Sequence, residues 1–246
     1  MHGDTGNVGS DNVRLEFLPS FRCRVGAAQV RFPQALCSLI VTVALEPGGL
    51  SRASLQGRLW PGLPLREAAK RLRQALWRIR RETGGRVLEV SPTHVALAAN
   101  VTVDIREAEH IAQRAVNGMF AGMDPPDPEP LTRELLSDWP CEAVHAAQDR
   151  WDRLRLHAME RIAEHLHASG NVPGALELLE VATRVDELGE TAHRLMAAAH
   201  LARGDQVSAW RVYLRYQRLL RDEIGLEPSA DFQGLFKHLA ERSLVS

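Results

Sequence analysis

The chain has 246 residues, of which 45% are hydrophobic and 25% charged, and its formal net charge is −1. This length suits two domains of ordinary size, and the composition is typical of a globular protein. No apolar run reaches the roughly 20 residues that a membrane-spanning helix needs. Residues 1–12 are polar and lack a signal-peptide pattern. We therefore expect a cytoplasmic protein that makes no contact with a membrane.

The charges and the cysteines narrow the class of protein further. Residues 1–104 contain 14 Lys and Arg against 8 Asp and Glu, whereas residues 105–246 contain 16 against 23. A basic front half indicates a polyanionic partner, although two ordinary solvated surfaces could divide their charges in the same way. Cys23, Cys37 and Cys141 are widely spaced and form no CxxC pair, which favours buried thiols over a disulfide framework or a zinc ribbon.

The first hundred residues change from strand to helix and back to strand. Residues 13–17, 21–25 and 30–32 alternate between apolar and polar side chains, which predicts a small antiparallel sheet. Three helices are predicted next. The first carries the apolar stripe of residues 36–43, the second has its N-cap at Ser51, and the third covers Arg66–Glu82. Strands at Val87–Val90 and Val95–Leu97, joined by a turn at residues 92 and 93, complete the predicted order.

From Asp104 onward the pattern is helical. The sequence predicts a helix over residues 104–116, a proline-rich loop at 122–130, and further helices after it. Gly170-Asn171 recurs as Gly204-Asp205, an offset of 34 residues that is the tetratricopeptide period. Small residues recur where paired helices must pack closely, at Ala163, Ala175, Ala197 and Ala209. Two copies are too few for a free-standing solenoid, so we expect capping helices at Ala143–Leu154 and Ala230–Arg242.

These elements predict a mixed fold with two domains. The first, at residues 13–102, is an α+β winged helix-turn-helix with an extra N-terminal β-sheet. The second, at residues 103–246, is an all-α, tetratricopeptide-like helical domain. The winged helix indicates a DNA-binding protein, and its third helix is the segment that we expect to enter the groove.

The third predicted helix has seven Lys or Arg between residues 66 and 81 and a single acidic residue, Glu67. With Leu72 at the centre of the buried face, the basic side chains lie on the outer face and its flanks. A helix about 10–12 Å wide fits the major groove, where Arg and Gln can bind base edges. The predicted DNA-binding residues are Lys70, Arg71, Arg73, Gln74, Arg78, Arg81 and, at the tip of the hairpin, Thr93. A solvated amphipathic face is the alternative.

Trp77 lies on the outer arc of the same predicted helix. It could stack on a sugar or a base, or pack beneath the hairpin, and we favour packing. The sequence contains no pattern of catalytic residues. His193 and His200 share a helical face, but no Cys or carboxylate pattern completes a metal site around them. No Walker loop, GxGxxG or GxSxG occurs. We therefore expect no enzymatic activity, no metal and no cofactor.

Several segments resemble a known family. Leu59-Trp60-Pro61 and the helix that ends Leu72-Arg-Gln-Ala-Leu-Trp-Arg-Ile-Arg-Arg81 resemble the OmpR-type winged helix of SARP-like activators. The stretches Leu135-Leu-Ser-Asp-Trp139 and Tyr213–Glu223, with the closing Leu226-Glu-Pro-Ser229, are similar to the bacterial transcriptional activation domain. The resemblance implies binding to double-stranded promoter DNA, possible pairing of two protomers on direct repeats, and recruitment of RNA polymerase. It also implies that the third helix is the recognition helix.

The sequence is compatible with two other functions. The protein could be an adaptor that acts through its helical-repeat domain, with a winged helix that has lost specific DNA recognition. It could also be a regulator that senses a small molecule, although the sequence reveals no polar pocket for one. A promoter-binding activator is the leading hypothesis.

Overall fold

The structure is a computed structural model that describes residues 12–119, 124–139 and 142–236. Contacts between residues divide the chain into two compact units. The first combines Met1–Ala108 with Glu134–Trp151, and the second combines Glu109–Arg133 with Asp152–Ser246. This division does not coincide with the predicted domain boundary between residues 102 and 103, so that boundary stays a proposal.

The first unit begins with the predicted sheet. Strands β1 (Val13–Glu16), β2 (Arg22–Val25) and β3 (Ala28–Val30) form an antiparallel series in which Leu15 is paired with Cys23. The apolar side chains that alternate along β1 and β2 are buried, because one face of the sheet covers the core. Cys23 and Cys37 are buried free thiols, as expected, whereas Cys141 lies outside the described residues.

Three helices and a second sheet follow. The helices α1 (Gln34–Ala44), α2 (Arg52–Leu59) and α3 (Leu65–Thr83) pack against one another, and Ser51 caps α2 by accepting a hydrogen bond from the Ser54 N–H at 3.0 Å. Strand β5 (Leu88–Val90) pairs with β6 (His94–Leu97) as the predicted hairpin. A two-residue strand, β4 (Leu50–Ser51), pairs with the other edge of β6 and was not predicted.

A strand that was not predicted, β7 (Val101–Val103), closes the first sheet. It pairs in parallel with β1, which gives the strand order β3-β2-β1-β7. Asp104 follows directly and begins α4 (Asp104–Val116). Its carboxylate accepts hydrogen bonds from the N–H groups of Phe17 at 2.8 Å and Leu18 at 3.0 Å, so it holds the loop after β1. Burial raises the pKa of this carboxyl group, and the backbone hydrogen bonds oppose that shift.

A later segment returns to the same loop. The N–H of Leu136 donates to the Phe17 carbonyl at 3.0 Å, and the N–H of Ser137 donates to the Pro19 carbonyl at 2.9 Å. The indole of Trp139 lies 6.0 Å from the ring of Phe21 between centroids. These contacts explain why residues 134–151 belong to the first compact unit, although they follow α4 in the sequence.

The rest of the described chain is helical. A short 3-10 turn, Glu129–Thr132, ends the proline-rich stretch, of which residues 122 and 123 lie outside the described part. The helices are α5 (Glu142–Ala168), α6 (Val172–Val185), α7 (Glu190–Ala202), α8 (Gln206–Ile224) and α9 (Ala230–Gly234). The predicted capping helix at 143–154 is wrong as a separate element, because α5 continues for 27 residues without a break. Of the other predicted cap, residues 237–242 lie outside the described part. No helix in the described ranges is long and apolar enough to cross a membrane.

The repeat is visible in the second unit. Gly170 and Gly204 both adopt positive φ, 85° and 77°, at equivalent turns before α6 and α8. The four predicted small residues are at most 1% exposed. Tyr216 lies 34 residues after Ala182 and so replaces a small residue of the first copy. It is 2% exposed and donates its hydroxyl hydrogen to the Leu188 carbonyl at 2.9 Å. Its ring lies 5.7 Å from that of Phe232 in α9, so the aromatic pair fills the end of the repeat.

Candidate nucleic-acid interface

Helix α3 has the amphipathic form that its sequence predicts. It covers Leu65–Thr83, one residue longer at each end than expected, and it ends at Gly84, whose φ of 62° is the left-handed geometry of a C-cap. Leu72 is 1% exposed, which confirms its place at the centre of the buried face. The remaining buried side chains are Ala68, Ala75, Leu76, Ile79 and Thr83.

The opposite face of α3 is exposed and basic. It brings together six of the seven predicted DNA-binding residues, all of them exposed: Lys70, Arg71, Arg73, Gln74, Arg78 and Arg81. Arg66 and Arg80 are also exposed on this helix. The structure thus presents a continuous cationic surface, which we call the α3 basic face. Its contact with DNA is a prediction that nothing in the structure tests.

Two arginines of the α3 basic face lie beside carboxylates on the same helix. Arg71 is 3.7 Å from Glu67 and Arg78 is 3.9 Å from Glu82, each between a guanidinium nitrogen and a carboxylate oxygen. Both pairs are long and solvent-exposed, so each contributes at most about 0.5 kcal/mol. Lys70 and Arg73 make no ion pair with any residue that the structure describes. Binding of these four cations to phosphates would therefore sacrifice little ion-pair energy within the protein.

Trp77 does not pack beneath the hairpin, and the favoured prediction for it is wrong. Its side chain is 59% exposed, and the Arg81 guanidinium lies 5.4 Å from the ring centroid. The ring sits at the edge of a recess that also includes Leu88 and Val90 of β5.

Thr93 occupies the hairpin tip, as predicted, and it is exposed. Its carbonyl accepts a hydrogen bond from the Arg52 N–H at 2.9 Å, so its backbone contacts the first residue of α2. The turn is closed by Ser91, whose hydroxyl accepts from the His94 N–H at 2.9 Å. The imidazole Nε2 of His94 is 2.7 Å from the Gly48 carbonyl oxygen. The hairpin is thereby tied to the start of α2 and to the loop after α1.

The sequence prediction missed one feature of this surface. Leu65, the first residue of α3, is 77% exposed, the largest exposure among the large apolar side chains of the described residues. The sequence predicted that the helix begins at Arg66, whereas it begins one residue earlier, directly after Pro64 at the N-cap. An exposed leucine at a helix N-terminus can make apolar contact with a thymine methyl group.

The described residues contain no group of three His, Cys, Asp or Glu side chains that could hold a metal ion. The two histidines noted in the sequence, His193 and His200, lie on α7 in the second unit and line a recess there. The imidazole Nε2 of His193 is 3.0 Å from the Glu187 carbonyl oxygen, and its ring stacks on Tyr216 at 4.6 Å. The ring is therefore packed against Tyr216 and held by the backbone of Glu187.

Comparison with known families bears on the rear of the chain. Residues 133–239 match the family model described as the bacterial transcriptional activator domain. The resemblance to SARP-like transcriptional activators is confirmed. The match contains the stretches that carry the resemblance in the sequence, including Tyr213–Glu223 and the closing Leu226-Glu-Pro-Ser229. The SARP-like family is a family of transcriptional regulators and not a class of enzymes.

The fold is similar to that of a solved structure, Mycobacterium tuberculosis EmbR in complex with low affinity phosphopeptide. The TM-score is 0.72 at 18% sequence identity, and the matched region covers 94% of this chain and 65% of EmbR. The chain thus spans just under two thirds of EmbR. At this identity the likeness concerns the fold, and it confirms the predicted mixed class with a winged helix before an all-helical domain. No curated protein sequence matches the chain.

Proposed function

We propose that this chain is a DNA-binding transcriptional regulator that acts in the cytoplasm. It binds double-stranded promoter DNA through α3 and activates transcription by recruiting RNA polymerase through its helical domain. Two protomers on a direct repeat would form the binding unit. The predicted domains at residues 13–102 and 103–246 divide these tasks between them.

The α3 basic face carries the proposal. Six predicted contact residues are exposed on one helix, and the acidic residues beside them make only long, exposed ion pairs. Helix α3 is amphipathic: Leu72 and Ile79 are buried on one side, and the other side is cationic. It therefore has the dimensions and the charge to enter a major groove. Gln74 and the arginines supply donors for base edges, while the flanking cations neutralise phosphates.

The experiment is selection of bound sequences from random double-stranded DNA by the purified chain, followed by affinity measurements on the enriched site. We expect one enriched motif, and an affinity that falls steeply with salt because several phosphates are contacted. Replacing Arg71 and Arg78 together by Ala should abolish the specific binding. The matched control is Arg150→Ala with Arg153→Ala, which removes the same charge from an exposed part of α5.

Unchanged affinity in the Arg71 and Arg78 double variant would refute the role of α3. Equal affinity for all DNA, or none, together with retained protein partners would instead support the adaptor hypothesis. The number of half-sites in the motif reports whether two protomers bind. Recruitment is tested separately, by asking whether the promoter-bound chain increases the occupancy of the promoter by purified RNA polymerase.

A further inference from the structure

A recess of about 460 Å³ lies within the second unit, between helices α6, α7 and α8. This volume falls in the range of pockets that bind small molecules. Residues of all three helices line it. The sequence did not predict this recess. Of its lining residues, it singled out only the two histidines of α7.

Three arginines surround the recess. Arg184 comes from α6, and Arg211 and Arg215 lie one turn apart on α8. All three are exposed, and none makes an ion pair with a residue in the described ranges. Among the described lining residues Glu180 is the only carboxylate. Three arginines against one carboxylate give the lining side chains an excess of about two positive charges.

The floor differs from the rim because it is apolar and uncharged. Met196 and Val212 are buried lining residues, 9% and 6% exposed, beside the buried imidazole of His193. Burial lowers the pKa of His193, and the hydrogen bond to the Glu187 carbonyl opposes that shift. A recess with cationic sides and an apolar floor suits a molecule with an anionic group and a flat or apolar part.

We propose that this recess binds a small phosphate ester, with the phosphoryl group held by Arg184, Arg211 and Arg215 and an apolar ring laid over Met196 and Val212. The planar guanidinium group matches the geometry of phosphate oxygens and can bind them in pairs. A phosphate monoester has close to two negative charges at neutral pH, which matches the excess charge of the rim. The site is independent of the proposed DNA contact, because all of its residues lie in the second unit.

Calorimetric titration of the purified chain, without DNA, tests the proposal. The probes are adenosine monophosphate, inorganic phosphate and adenosine, which separate the charged group from the ring. We expect saturable binding of one adenosine monophosphate per chain, weaker binding of phosphate, and none of adenosine. Replacing Arg211 and Arg215 together by Ala should weaken binding of the monophosphate by about tenfold or more, because charge-assisted hydrogen bonds are lost.

The matched control is the Arg150→Ala and Arg153→Ala double variant, whose affinity should equal that of the wild type. Thermal unfolding of each variant verifies that the helical unit stays folded. Absence of saturable binding of both phosphate-containing probes would overturn the proposal, as would equal affinities in the two double variants. If the recess binds an acidic polypeptide segment instead, neither adenosine monophosphate nor inorganic phosphate should show saturable binding.

Discussion

The guanidinium carbon of Arg81 lies 5.4 Å from the centroid of the Trp77 ring, one helical turn away on the exposed face of α3. A cation in this position is attracted by the face of the indole and contributes roughly 0.5–1 kcal/mol at an exposed site. The contact restrains both side chains on the outside of the helix. The indole is 59% exposed in the middle of the α3 basic face, so the contact lies at the surface.

We expect Trp77→Ala to weaken DNA binding several-fold while leaving the free energy of unfolding within about 0.5 kcal/mol of the wild type. The indole contributes little buried area, but it restrains Arg81 and offers a face to the sugar-phosphate backbone. Arg81→Ala should weaken binding to all sequences alike and reduce the slope of log affinity against log salt by about 1. Fluorescence anisotropy over a salt series measures both effects. Equal affinity of wild type and Trp77→Ala would show that the exposed ring has no part in binding.

Gly49 should tolerate no side chain. A Cβ at this position would lie 2.7 Å from the Cα of Ala96 and closer still to the carbonyl oxygen of Val95. Gly48 has nearly the same φ, 84° against 82°, but open space around it. We expect Gly48→Ala to cost about 1 kcal/mol from the left-handed backbone alone, and Gly49→Ala to cost clearly more because β6 must move. Urea unfolding compares the pair, and equal losses would mean that the loop adjusts freely.

The close helix packing of the repeat predicts a size limit at Ala197. This residue is fully buried in α7, whereas Ala202, at the end of the same helix, is exposed. Ala197→Leu should destabilise the helical unit by about 1–3 kcal/mol or more, because added methylene groups have no room. Ala202→Leu should change stability by no more than about 0.5 kcal/mol. Hydrogen exchange of the α7 and α8 amides would measure the difference, and similar protection in both variants would contradict the packing.

His193 should make the stability of the helical unit depend on pH. Burial holds the pKa of this imidazole below its ordinary value, so the unfolded chain binds a proton more readily than the folded protein. The stabilising contribution is complete above about pH 6.5 and is lost as the pH falls towards the folded pKa. His193→Gln should reduce this loss, whereas His157→Gln, at an exposed position, should not. Unfolding at about pH 7 and pH 5.5 tests this, and parallel curves for wild type and His193→Gln would exclude it.

Elements defined by local periodicity were predicted well. The stripe through Leu72 placed α3 within one residue at each end, and the alternation around Leu15 placed β1. The repeat of 34 residues identified the four alanines that separate paired helices. The signals for α3 and β1 lie within a few turns of helix or a few residues of strand, where the spacing of side chains around the backbone determines which of them are buried.

Features that depend on distant partners were missed. Val101–Val103 is only three residues long, and it becomes a strand because β1, near the start of the chain, offers it a free edge. Leu136 and Ser137 bind the loop after β1, a partner that the sequence around them does not reveal. Neither partner can be identified from local pattern, because the pairing depends on loop closure over most of the front half of the chain.

The basic and amphipathic character of α3 was determined by the sequence alone, because charge and periodicity are properties of the residues themselves. Only the tertiary structure decided which side chains are available on it. Trp77 is 59% exposed rather than packed beneath the hairpin, and the helix order in the second unit brings Arg184 of α6 to the same recess as Arg211 and Arg215 of α8. Side chains that are far apart in sequence meet only when their helices pack, and no local pattern contains that information.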